Sequence, residues 1–168
     1  MKKKIMHTML FIAMFIAMNS CSATTAKDTE SSTPPTALVA NYSYNDSELK
    51  IMQLINDYRV RNGLNALQKI NHISYKCQQH NTYMIANHVL NHDGFSTRSR
   101  NIMQLLGAKK VGENVARKQK TPEAVVKAWL ASPRHKENIK GNFTHFGLSV
   151  STDPATGDKY YTNIFVKI

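Results

Sequence analysis

The sequence predicts an α+β domain, an α-β-α sandwich with a small antiparallel sheet between helices. Three observations lead there. Apolar residues recur at helical spacing through most of the segment from 46 to about 140. The closing stretch, "FGLSVSTDPATGDKYYTNIFVKI", alternates at Phe146, Leu148 and Val150, turns at a Pro/Gly segment, and ends rich in β-formers. Both faces of that last strand carry apolar residues, as expected of a sheet covered by helices on both sides.

Each element has its own signals. Asn45 stands three residues before Glu48, a capping-box start for a first helix with Ile51, Leu54, Ile55 and Tyr58 on one face. Gly63 is placed to end that helix in the left-handed conformation, with Leu64 supplying the following hydrophobic contact. A second helix is expected over about Ile70 to Val89, with Ile73, Cys77, His80 and Met84 sharing a face. Ser96 or Thr97 can cap a short third helix ending near Gly107. "KVGENVA" is a compact extended segment. Thr121-Pro122-Glu123 supplies a cap, a proline at the first helical position and an acid in the first turn. Ala124, Val125, Ala128 and Trp129 give that helix its buried face. A further helix starts at Pro133 after Ser132.

The domain is expected over 46–168, roughly 120 residues and enough for one sizeable core. Residues 1–20 read as a signal peptide of lipoprotein type. Lys2, Lys3 and Lys4 precede an apolar run from about Ile5 to Met18, short for a membrane span. "NSC" then puts a small residue before Cys21, the expected lipidation site, although Met18-Asn19-Ser20 departs from the usual Leu-Ala-Gly. An ordinary secretory signal or an uncleaved anchor are the competing readings. Residues 21–45, rich in Ser, Thr, Ala and Pro, read as a flexible tether reaching a few tens of ångströms.

The chain has two cysteines, so a lipidated Cys21 leaves Cys77 without a disulfide partner. An export signal without a disulfide framework fits a bacterial cell-envelope protein, facing the periplasm or the surface. Of the net charge of +11, the three leading lysines carry three, which leaves +8 from Cys21 onward. An exported chain rarely meets nucleic acid, so an anionic lipid or envelope polymer is the expected partner class, beside the plain reading of solubility.

Seven histidines raise the question of metal. The HExxH pattern is absent. His80 lies on an apolar stripe and reads as core, and His88 sits near a helix end. Three places differ. "NHDGF" sets His92 beside a turn-forming Asp-Gly pair. "VGENVA" sets Glu113 in an apolar segment, where burying it unpaired is costly. "SPRH" sets His135 in the first turn of a helix, where the backbone amides favour the neutral imidazole that binds a metal or accepts a proton. Two histidines and a carboxylate form a plausible set for a divalent cation, zinc first, but spacing alone does not show that they converge.

From "LINDYRVRNGLNAL" to "YYTNIFV", over roughly residues 48–168, the chain resembles the CAP (SCP domain) superfamily of cysteine-rich secretory proteins, antigen 5 and pathogenesis-related proteins, especially its short bacterial members. The Arg59/Gly63-Leu64 helix end, "NHDGF", "GENVA", "WLASPRHKENI" and "FGLSV…YYTNIFV" occur in the family's order. The resemblance implies an α-β-α sandwich with a cleft of two histidines and two glutamates. His92 and His135 match the histidines, the pair that in some members binds a cation, and Glu113 matches one glutamate. The other glutamate falls at Ser132, so three of four are present.

The function expected is a non-enzymatic ligand-binding or interaction module, with a lipid or other small apolar ligand as one candidate. A metal-dependent, protease-like hydrolase with Glu113 as base is the alternative. The sequence offers no Gly-x-Ser-x-Gly elbow, Ser132 is placed as a helix cap, and Cys77 reads as a small core residue.

Overall fold

The computed structural model describes residues 37–168. The expected signal at 1–20, the lipidation site Cys21 and the tether up to residue 36 lie outside the described residues. The described residues belong to one compact unit. Among the described residues no helix is long and apolar enough to cross a membrane.

Five helices and four strands follow in the order α1 (Asp46–Arg61), β1 (Gln68–Lys69), α2 (Asn71–Ala86), α3 (Phe95–Leu106), β2 (Lys110–Arg117), α4 (Pro122–Ala131), α5 (Pro133–Lys140), β3 (His145–Thr152) and β4 (Lys159–Lys167). The sheet order is β1-β3-β4-β2. The three long strands are antiparallel, as expected. The two-residue β1 was not anticipated and runs parallel to β3, so the sheet is mixed. Two residues give no periodicity to read, which is why the sequence is silent there.

Local chemistry sets the helix ends. The Asn45/Glu48 capping box forms in both directions. At the far end of α1 the Leu64 amide donates to the Arg59 carbonyl and the Gly63 amide to Val60, with Gly63 at φ 73°, a Schellman closure. Thr121 caps α4 through the Ala124 amide. α3 starts earlier than Ser96 or Thr97 would place it. Left-handed Gly94 precedes Phe95 and provides no side-chain cap. Ser132 stands between α4 and α5, but its hydroxyl makes no capping hydrogen bond, contrary to expectation. It closes one helix while opening the next, and only its carbonyl joins α5, accepting from Lys136 at 2.9 Å.

Helices α1, α4 and α5 cover one face of the sheet, and α2 and α3 the other. The larger core joins Ile51, Ile55, Val125, Trp129, Phe146 and Phe165. On the opposite face Ile73, Cys77 and Ile102 pack on Ile164 and Val166. Arg59, fully buried, directs its guanidinium to the carbonyls of Ile139, Gly141, Asn65 and Phe143 and so fixes the end of α5 to α1. Residues 37–45 are docked on the domain as well. The Val39 amide donates to His72 Nδ1, and Tyr42 donates to Glu48 at 2.9 Å.

Candidate functional site

Strand β2 positions the site because it lies at an edge of the sheet and alternates. Val111, Glu113 and Val115 point toward α2 and α3. Asn114 points the other way, donating to the His135 carbonyl at 3.0 Å and accepting from Asn138 at 2.8 Å. Asn138 also donates to the Glu113 carbonyl at 3.1 Å. Helix α5 is therefore held against β2 by a chain of amide side chains, and Asn114, fully buried, sets the place of His135.

His92 comes from the loop between α2 and α3. The Asn91 side chain bonds both the Asp93 amide and the Asp93 carboxylate, the Phe95 amide donates to the His92 carbonyl, and Gly94 takes φ 70°. Its Nδ1 lies 2.8 Å from Glu113 Oε1. A carboxylate accepts, so Nδ1 carries the proton and Nε2 keeps the lone pair in the neutral ring. The His92 side chain is 51% exposed and that of Glu113 is 1% exposed.

Arg98, which no sequence motif singled out, and His80, expected only as a core residue, complete the arrangement. Arg98 of α3 grips Glu113 with two nitrogens, Nη2 at 2.8 Å and Nε at 3.1 Å from Oε2, and Nη2 also reaches Oε1 at 3.0 Å. Its remaining nitrogen donates to the Asp93 carbonyl at 2.7 Å, tying the His92 loop to the same guanidinium. His80, placed in the core by its apolar stripe, is buried there and also lies 4.0 Å from Glu113 Oε1. It donates from Nε2 to the Asn91 carbonyl, which leaves Nδ1 buried without a partner among the described residues. The sequence signal available for Arg98 was the buried carboxylate itself, which requires a counter-charge.

His135 is held below the ordinary histidine range, first by burial and then by the charge of His92. It is thus the neutral ring expected, although burial rather than the helix start is the main cause. The same two causes appear at His80, where burial is the largest and Arg98 and His92 add to it.

The expected cleft residues are thus gathered unequally. His92 and Glu113 touch, His135 is held on α5 through its carbonyl by Asn114, and Ser132 remains at the helix junction. The Glu113 oxygens already accept one bond from His92 and three from Arg98, about the capacity of a carboxylate. Glu113 therefore does not offer itself as a third metal ligand, and among the described residues no three His, Cys, Asp or Glu side chains gather as a ligand set. His92 is the ring placed to ligate through Nε2, with Glu113 behind it at Nδ1. Cys77 is buried with its thiol pushed well up, chiefly by burial, which makes it inert as a nucleophile.

A model of the cysteine-rich secretory protein (CAP) family matches residues 52–166. The chain belongs to that family. Its CAP domain is 35% identical over 128 residues to the uncharacterised protein YkwD of Bacillus subtilis, a match covering 74% of this chain and 48% of that protein. The chain thus spans about half the length of that relative. Among solved structures, the CAP domain is similar to an extracellular SCP-domain protein of Bacillus anthracis, with a TM-score of 0.64 and 25% identity over 73% of this chain and 40% of the other. An outer surface protein of Borrelia burgdorferi shares the fold with a TM-score of 0.66 and 20% identity, over 77% and 98% of the two chains.

Proposed function

We propose that this CAP-domain protein is an exported binding module, attached to the bacterial envelope through Cys21, whose cleft holds a divalent cation or a ligand at His92 and His135. The observation that carries the reading is the His92–Glu113 contact at 2.8 Å. A carboxylate behind a histidine fixes the tautomer and makes the outer nitrogen a better donor. His135, kept neutral by burial, offers the second nitrogen. A cation there, zinc first, would supply a charged anchoring point for a ligand. Export is supported by the leader-like start of the sequence and by the extracellular description of the Bacillus anthracis relative.

The hydrolase reading draws less support. A general base needs a free lone pair within reach of a water, and those of Glu113 are engaged by Arg98 and His92. Metal analysis of the purified chain, with His92→Ala and His135→Ala beside it, tests the binding reading. One divalent cation per chain in the parent and loss in both variants is the expected result. A hydrolytic activity abolished by Glu113→Gln would support the enzyme instead. Membrane fractionation of Cys21→Ser tests the attachment, with release expected.

A further inference from the structure

The β2–β4 ladder carries cations at both of its ends, and the two ends are treated differently. At one end Arg117 and Lys118 are matched by Asp158, at 2.9 and 3.7 Å. At the other end Lys110 stands directly opposite Lys167 across the ladder, and the Lys109 amide donates to the Lys167 carbonyl. Like charges directly opposite on one sheet face oppose each other. Among the described residues none of Lys109, Lys110, Lys140 and Lys167 forms an ion pair. The Lys110 ammonium lies 5.1 Å from the centre of the Phe143 ring, and Lys167 donates to Asn142 at 3.3 Å. Both contacts leave the positive charge uncompensated and bring it to the loop that follows Lys140.

The chain enters the domain at this same end. Gln68, His145, Val166 and Val111 form one row across the four strands, one step inside Lys110 and Lys167. Leu38 and Val39 line one depression with Lys69, His72 and Leu106, and Leu106 is three residues before Lys109. Leu38 is 52% exposed and Ile168 40% exposed, so apolar side chains accompany the lysines. The described part of the chain therefore begins beside this unmatched charge.

We infer that the end of the sheet bearing Lys109, Lys110, Lys140 and Lys167 is the surface this domain lays on an anionic phospholipid bilayer. The inference deepens the envelope-attached reading above and rests on it. Lysines flanked by exposed apolar side chains are the composition that an anionic headgroup layer attracts. Attachment through the segment that enters beside this end raises the local concentration of headgroups there, and each lysine near the surface strengthens contact by about fivefold.

Co-sedimentation of residues 33–168, which lack the leader and Cys21, with vesicles tests this directly. The expected result is binding to phosphatidylcholine vesicles containing phosphatidylglycerol, not to phosphatidylcholine alone, and loss at high salt. Lys110→Gln with Lys167→Gln should weaken binding by about twenty-fivefold. Lys118→Gln with Lys120→Gln, at the other end of β2, should leave it within about twofold. No difference between the two pairs, or no binding to anionic vesicles, overturns the inference. So does retention by a soluble anionic wall polymer without vesicle binding. Zinc binding and the release of Cys21→Ser from membranes report on the parent reading separately, so the two can fail independently.

Discussion

Arg98 and Glu113 form a buried two-pronged ion pair, with Arg98 Nη2 2.8 Å from Glu113 Oε2 and the carboxylate side chain 1% exposed. This pair joins α3 to the edge strand and holds His92 through the same carboxylate. It accounts for an acid inside an otherwise apolar segment, and it makes Glu113 an orienting group.

Breaking the pair from one side leaves a buried charge uncompensated. Arg98→Met is expected to destabilise the domain by about 3–5 kcal/mol, measured by urea unfolding. The double change Arg98→Met with Glu113→Gln should recover part of that loss. Additive losses would mean that the two side chains act separately and would remove the electrostatic basis of the site.

Acid should weaken the fold through histidines that full or partial burial keeps neutral. His72, His80 and His135 are all held below the ordinary value, in each case first by burial. The unfolded chain takes up these protons near pH 6.5, while the folded chain resists them to lower pH. Stability therefore rises with pH through that window, is complete above it, and falls on acidification. His72 has a structural readout too. Its Nδ1 accepts the Val39 amide, so protonation there removes the acceptor that docks residues 37–45. Urea midpoints at about pH 7.5 and about pH 5.5 should differ less in His72→Gln than in the parent chain. An unchanged difference would assign the acid sensitivity elsewhere.

Gly147 lets α2 approach β3. A Cβ there would meet the backbone nitrogen of Ser74 and the backbone and side chain of Ile73, all at under 3.0 Å. Gly147→Ala is expected to cost at least about 1–3 kcal/mol, since backbone has to move to admit it. Thermal unfolding checks this. A neutral effect would mean that α2 is less closely seated than the bonds from Cys77 and Asn81 to β3 imply.

Most of the fold was legible in the sequence because its signals are local. The Asn45–Glu48 box, the Gly63–Leu64 closure and Thr121-Pro122-Glu123 each satisfy backbone groups within a few residues. The mixed character of the sheet was not legible, since β1 is two residues long and is defined only by its long-range pairing with β3. At the site, His92, Glu113 and His135 stood out by context. Arg98 did not, because an arginine within "STRSR" looks like any surface charge until the strand beside it brings Glu113 across. His80 read correctly as buried, yet its proximity to Glu113 depends on the turn at Asn91, which no helical stripe encodes. Ser132 shows the opposite case: its cap signal is clear, and the shared junction of two helices overrides it.

The proposed function rests on His92 and His135 acting as a two-nitrogen site oriented by Glu113. Calorimetric titration of zinc into residues 33–168, with His92→Ala, His135→Ala and Glu113→Gln in parallel, tests it most directly. The expected result is one zinc per chain, loss of binding in both histidine variants, and binding about tenfold weaker but retained in Glu113→Gln. Equal affinity in all four chains, or no zinc bound by the parent, would contradict it.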